Sequence, residues 1–294
     1  MGRVGNRALL QTRGVGVLAC PIELLALENE GSAWRCPAGH AYDISRDGYV
    51  NLLPPGKPSR LKSGDDVESI HARRRFLDAG HYGVLARRLA TLSRELAGGA
   101  GATVDVGCGE GYYTAGLSGD EVVGLDLSRA GIRLAARRHK GATFAIANAL
   151  ALPLVGAGVD QLVSVFAPVV PDEFARVSRP GAHLLIAVPA AQHLAAVRAL
   201  LYETPQPHDE AMPLSDDGRF ALVHLEQVVG EIEIATTDVL RDLITMTPYR
   251  FAVPPIAIER ALRAPTPFTT PIEFAVGVFR RVSATLDGDG ESAG

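Results

Sequence analysis

The residues best placed to do chemistry lie in Val104-Asp105-Val106-Gly107-Cys108-Gly109-Glu110-Gly111, an apolar run that ends in three alternate glycines. Glycine lets the backbone take positive φ and lets a ligand approach without a Cβ in the way. The pattern predicts a strand, a tight turn and then a helix. A nicotinamide-dinucleotide loop would need Gly or Ala three residues after Gly109, where Tyr112 stands. A phosphate loop would need a Gly-Lys-Ser/Thr that does not follow. Asp126 closes the next apolar run, where a carboxylate can accept from both hydroxyls of a ribose. Asn148, after a third run, has an amide able to read an adenine edge. The set implies a nucleoside ligand without a pyrophosphate, a description that S-adenosylmethionine fits. The alternative is structural: a tight turn, with Asp105 and Asp126 acting as caps. Cys108 reads as a small buried filler, since no activating partner is evident.

The elements that must position these residues follow from periodicity. TVDVG, EVVGLD, ATFAIAN, QLVSVFA and HLLIAVP read as strands, and SRAGIRLAARRH reads as an amphipathic helix. Such alternation predicts an α/β, Rossmann-like domain with a parallel sheet covered by helices. Later, LVHLEQVV, EIEIATT and FTTPIEFAVGVFRR predict antiparallel strands around a short helix at DVLRDLITM. Residues 67–98 carry apolar positions at turn spacing, with a break at Gly80-His81-Tyr82.

The chain has 294 residues, is 47% apolar and carries a formal charge of −4, which excludes wholesale disorder and a protein basic throughout. Residues 1–75 nevertheless hold 11 Lys and Arg against 8 Asp and Glu, so the positive excess lies in the N-terminal quarter. Three cysteines cannot close a disulfide framework, which points to a reducing cytoplasm. Arg13 interrupts the first apolar run, and no stretch approaches the roughly 18 apolar residues of a membrane span, so no membrane association is expected. The expected units are a small module at 16–55, a linker at 56–75, the α/β domain at 76–286 and a disordered tail at 287–294.

The run from Asp105 to Thr114 resembles motif I of class I S-adenosylmethionine-dependent methyltransferases. More narrowly, it resembles the 23S rRNA (guanine-N1)-methyltransferases, a family that includes macrolide-resistance enzymes of tylosin and mycinamicin producers. The same family is suggested by Cys36-Pro-Ala-Gly-His40, Asp47-Gly-Tyr-Val-Asn-Leu-Leu-Pro54, Ala72 to Tyr82, Phe166-Ala-Pro168, Pro189 to His193 and Met246-Thr-Pro248. The resemblance implies cofactor contacts at Tyr82, Gly109, Glu110 and His193, with Asp126 on the ribose. It also implies a homodimer, a zinc-bearing N-terminal module and a 23S rRNA hairpin as substrate.

The zinc module should carry Cys-x2-Cys and a later Cys-x3-His. Cys20, Cys36 and His40 are present, but Glu23 stands at the second position. Two readings remain open: a Zn²⁺ site completed by a carboxylate, or an eroded site held by packing of Trp34, Tyr42 and Tyr49. Lys57, Arg60, Lys62 and Arg73 to Arg75 are candidate phosphate contacts, or else a solvated linker. Phe166-Ala-Pro168 lacks the Asn/Asp-Pro-Pro-aromatic signature of amino-group methyltransferases, which favours a ring nitrogen as acceptor. Asp78, His81 and Glu110 are candidates for the general base. A small-molecule methyltransferase on the same fold is the alternative function, and a cofactor-binding RNA chaperone without turnover is a third.

Overall fold

Four short strands come first: β1 (Glu28–Asn29), β2 (Ala33–Arg35), β3 (Ala41–Asp43) and β4 (Tyr49–Asn51). Two helices follow, α1 (Val67–Asp78) and α2 (Gly83–Ala97). The chain then runs through β5 (Ala102–Val106), a 3₁₀ turn (Thr114–Gly116), β6 (Glu121–Asp126), α3 (Arg129–Arg138), β7 (Thr143–Ile146) and β8 (Val159–Val165). It continues with α4 (Pro171–Val177), β9 (Ser178–Pro189), α5 (Ala195–Leu201) and β10 (Phe220–Ile234). The last elements are α6 (Thr237–Met246), α7 (Tyr249–Ala252), α8 (Pro255–Ala261) and β11 (Phe268–Arg281). This computed structural model describes residues 16–54, 66–97, 101–209, 212–215 and 217–282.

Among the described residues, eight strands form one sheet in the order β10-β11-β9-β8-β5-β6-β7-β4. All neighbours from β9 to β4 pair in parallel, and β11 runs antiparallel between β9 and β10. Every residue of β5 is buried, as a central parallel strand covered on both faces requires. Strands β6 and β7 lie on one side of β5, and β8 and β9 on the other. The order therefore reverses at β5, and a crevice opens at its carboxyl end, where open α/β sheets bind ligands. The glycine turn occupies that crevice.

The N-terminal module is welded to this sheet. Strands β1 to β3 make their own antiparallel sheet, while β4 pairs with β7. Val17, Leu27, Trp34, Val50 and Leu52 share one apolar core with Val104, Val123 and Leu125. The Ala19 N–H donates to Pro153 O at 2.8 Å, and the Val17 N–H to Glu121 Oε2 at 3.0 Å.

Several expectations change. The glycine turn is followed by a 3₁₀ turn rather than an α-helix, because Gly111 at φ +80° is not helical and Leu117 is already extended. The helical stretch divides as the sequence suggests, at Gly80 (φ +85°). Helix α1 begins at Val67, inside the expected 56–75 linker, because Asp66 accepts from the Ser69 N–H at 2.8 Å and caps it. The segments LVHLEQVV and EIEIATT belong to one long strand, β10, whose register shifts between Leu222 and His224. Lys57, Arg60, Lys62 and the 287–294 tail lie outside the described residues. Among the described residues, no helix is long and apolar enough to cross a membrane.

Candidate cofactor site and metal centre

Gly107, Gly109 and Gly111 all take positive φ, at +80°, +55° and +80°. A Cβ on Gly107 would lie 2.3 Å from the Ala167 Cβ, so the end of β8 presses against the turn. A Cβ on Gly131 would lie 2.9 Å from the Gly109 carbonyl oxygen, so the first turn of α3 closes a second side. Among the described residues, only Arg73 Nη1, at 3.5 Å, stands within 4 Å of where a Gly109 Cβ would be. The turn is thus a cradle, walled by β8 and α3 and open above Gly109.

The acidic residues around it do different work. Asp126 accepts from the Gly109 N–H at 2.9 Å through Oδ2 and from the Ser128 N–H at 2.6 Å through Oδ1. These bonds fix the orientation of the carboxylate at the end of β6, the place from which it would receive ribose hydroxyls. Asp105 is buried and accepts from Thr114 Oγ1 at 2.5 Å. Burial pushes its carboxyl up to about 7, against the Thr114 bond, and the charges of Asp126 and Glu110 add to the rise. Asp105 therefore braces the turn from below. Glu110 is buried beside it. Asn148 Oδ1 accepts from the Leu150 N–H at 2.9 Å, so its amide carbonyl shapes a turn and its NH2 is the group suited to an adenine nitrogen. Burial raises the Cys108 thiol well above its usual range, which fits a filler and not a nucleophile.

Tyr82 and His193, 111 residues apart, meet in the core with Oη and Nε2 at 3.0 Å. His193 Nδ1 accepts from the Glu273 N–H at 3.3 Å, and burial lowers the ring to about 3. The imidazole is therefore neutral with its hydrogen on Nε2, which donates to Tyr82 Oη. That leaves the Tyr82 hydroxyl proton to point at a different acceptor.

Two neighbours carry information that the sequence reading did not extract. Phe166, at the end of β8, holds φ +56° and is 43% exposed. Its N–H donates to Ala187 O at 3.0 Å, and Ser164 Oγ donates to Ala167 O at 3.3 Å, which together hold the strained backbone. Its ring lies 6.3 Å from the rings of both Tyr82 and Tyr113. Tyr113 Oη is buried with no hydrogen-bond partner among the described residues. A Tyr-Tyr pair directly after the glycines, and an aromatic at a strand end facing them, were the available signals.

The other candidates go elsewhere. Asp78 pairs with Arg74 at 3.4 Å and Arg138 at 3.0 Å, and the His81 ring packs tilted against Phe76 with centroids 4.4 Å apart. Of the three candidate bases only Glu110 belongs to the glycine turn. Arg75 forks onto both oxygens of Asp242, at 2.8 and 2.5 Å.

In the N-terminal module, one ligand atom each from Cys20, Cys36 and His40 lies within 4.8 Å of the others. Cys20 Sγ is 3.5 Å from His40 Nδ1 and 3.1 Å from Tyr42 Oη. The Ala38 N–H donates to Cys36 Sγ at 3.4 Å, and backbone N–H groups of Ile22 and Glu23 face the Cys20 sulfur. Amide donors aimed at sulfur suit a thiolate, so three residues fit Zn²⁺. Glu23 is exposed and lies outside the trio.

Known proteins share both parts. Residues 18–59 match the zinc-ribbon family described as "RlmA, N-terminal", and residues 103–181 match the family described as "Methyltransferase domain". Over 264 residues the chain is 35% identical to the 23S rRNA (guanine(748)-N(1))-methyltransferase of Streptomyces fradiae, covering 84% of this chain and 90% of that one. The chain belongs to the 23S rRNA (guanine-N1)-methyltransferase family. It is a class I S-adenosylmethionine-dependent methyltransferase with an N-terminal zinc ribbon. A relative in Micromonospora griseorubida is 42% identical over 182 residues, covering 55% of this chain and 60% of its own. One in Bacillus subtilis (strain 168) is 33% identical over 174 residues, covering 56% and 60%. Both also carry the guanine-N1 activity in their names.

Proposed function

We propose that this methyltransferase modifies N1 of a guanine in a 23S rRNA hairpin, in the cytoplasm and as a homodimer. The observation that carries the reading is the union, in one chain, of a zinc ribbon and a glycine-turn methyltransferase, shared nearly end to end with a relative named for that reaction.

S-adenosylmethionine, once bound, supplies a methyl group made electrophilic by the adjoining sulfonium. The protein must hold the acceptor nitrogen in line with it, and positioning of that kind can supply about 7–11 kcal/mol. Phe166 offers a half-exposed aromatic face beside the turn, on which a base splayed from its hairpin can stack. As the N1 proton passes to a general base, for which Asp78, His81 and Glu110 are the candidates, negative charge gathers on guanine O6. Tyr113, whose buried hydroxyl is pushed well above the usual tyrosine range and stays protonated, is a donor for that oxygen. The basic residues that follow the ribbon in sequence, Lys57, Arg60 and Lys62, would hold the rRNA backbone. The homodimer is supported by the edge of β10, which among the described residues has no strand beyond it and exposes Leu222, Val223, Leu225 and Val229.

Incubation with labelled cofactor and unmethylated 23S rRNA, followed by mapping of the modified nucleotide, tests the reading. Label on a single guanine N1 is expected. Label found only in a small metabolite would instead establish the small-molecule alternative, and rRNA affinity would then lack the steep salt dependence of phosphate contacts.

A further inference from the structure

We propose that Arg73 binds the carboxylate of the methionine part of S-adenosylmethionine, and so acts on the cofactor rather than on an RNA phosphate.

The placement is specific. Arg73 Nη1 lies 3.5 Å from the position of a Gly109 Cβ, over the one side of the middle glycine that β8 and α3 leave open. Its Nη2 donates to the Met246 carbonyl at 3.3 Å, which tethers the guanidinium at the rim of the cradle. Helix α1 holds that position firmly. Ile70, Phe76 and Leu77 are buried, Ser69 Oγ donates to Thr245 O at 3.0 Å, and Arg250 Nη1 donates to Ser69 Oγ at 2.7 Å. The neighbouring arginines point away from the cradle's rim, toward Asp78 and Asp242. Arg74 and Arg75 each face a carboxylate at the surface, so the three do not form a continuous phosphate track.

Charge gives the ligand group. Asp105, Glu110 and Asp126 gather around the turn, near enough to one another that Asp126 and Glu110 both raise Asp105. The cofactor carries a sulfonium, an ammonium and a carboxylate. The acidic groups favour its two cations and its ribose hydroxyls, but they repel its carboxylate. A guanidinium above Gly109 supplies the missing counter-charge, and its planar fork matches a carboxylate in geometry.

This inference does not depend on the RNA substrate, because it can be read from cofactor binding alone. Calorimetry on the full chain would compare S-adenosylmethionine with decarboxylated S-adenosylmethionine, in the native protein and in Arg73→Gln. The variant should bind S-adenosylmethionine about 10–100-fold more weakly, the loss of one charge-assisted contact. It should bind the decarboxylated compound within about threefold of the native protein. Arg73→Lys, which keeps the charge and loses the fork, should fall between the two and guards against a folding defect in the glutamine variant. Equal losses for the two nucleosides would overturn the proposal and leave Arg73 a structural support. So would unchanged cofactor affinity combined with a salt slope for rRNA binding lowered by about one, the signature of a lost phosphate contact.

Discussion

Phe166 and Tyr113 form the wall that faces the glycine turn, and the two side chains make separable predictions. Phe166→Ala removes a face for stacking and keeps the Cβ at a left-handed backbone position, so the strain there stays, and base–aromatic stacking is worth about 1–3 kcal/mol. The rRNA KM should rise about 5–100-fold with cofactor affinity nearly unchanged. Tyr113→Phe deletes one hydroxyl with no hydrogen-bond partner among the described residues, so folding stability should hold while single-turnover rate falls about 10–100-fold. Kinetics on rRNA beside calorimetry on the cofactor separate these effects, and a cofactor affinity lost in step with rate would move both residues to the cofactor side. Burial at this site also sets opposing pH dependences. His193 falls from an ordinary 6.5 to about 3, so its contribution to stability is present above pH 6.5 and is lost as pH drops toward 3. Asp105 rises from 3.8 to about 7, so its contribution is present below 3.8 and is lost as pH climbs through 7. Between pH 4 and 6.5 the two slopes oppose each other. Denaturant unfolding of the cofactor-free protein should therefore show His193→Gln losing stability with rising pH and Asp105→Asn gaining it, each by up to about 1.4 kcal/mol per pH unit. Parallel profiles in the two variants would refute this assignment.

At the scale of elements, the parallel core was legible because buried strands write themselves as short apolar runs, and β5 to β9 fall where those runs lie. The glycine turn was equally plain, since three alternate glycines have few other uses. What escaped the sequence depended on contacts between distant segments. The pairing of Tyr82 with His193, the seat of Arg73 above Gly109 and the insertion of β4 beside β7 each join residues that no local pattern links. The pairing of Asp78 with Arg138, 60 residues on, escaped the sequence for the same reason. The ribbon shows where a motif is legible and its occupancy is not. Three ligand atoms converge, while Glu23 replaces the fourth ligand and stays exposed. Glu23→Cys restores the Cys-x2-Cys knuckle, so that variant should retain one zinc per chain against a chelator that strips the native protein. Because β4 carries the ribbon into the main sheet, its Tm should also rise by a few degrees in the presence of zinc. Metal analysis after dialysis, with melts on both proteins, checks this. Equal zinc retention would mean that Glu23 already serves as well as a cysteine.

For the whole molecule, the governing feature is an unfinished edge. Among the described residues the sheet ends on one side in β4, backed by the ribbon, and on the other in β10, whose residues 221–225 are exposed. Leu222, Val223 and Leu225 are 43%, 53% and 53% exposed there, and Val229 is 61% exposed. A long strand with an open ladder and apolar side chains is a template for pairing, and monomeric proteins usually blunt such edges with charge or Pro. Antiparallel pairing of β10 with β10 of a second copy across a two-fold axis is self-complementary and closes the assembly at two chains. It would also cover the four apolar residues and continue the hydrogen-bond ladder without altering the glycine cradle at the centre of the sheet. Light scattering should accordingly give twice the 31.1 kDa chain mass. Leu225→Lys with Val229→Lys should give a single-chain mass, with cofactor affinity within about twofold, because neither side chain reaches the glycine turn. Retention of the dimer by that double variant would place the contact on another surface, and a native protein of single-chain mass would remove the dimer altogether.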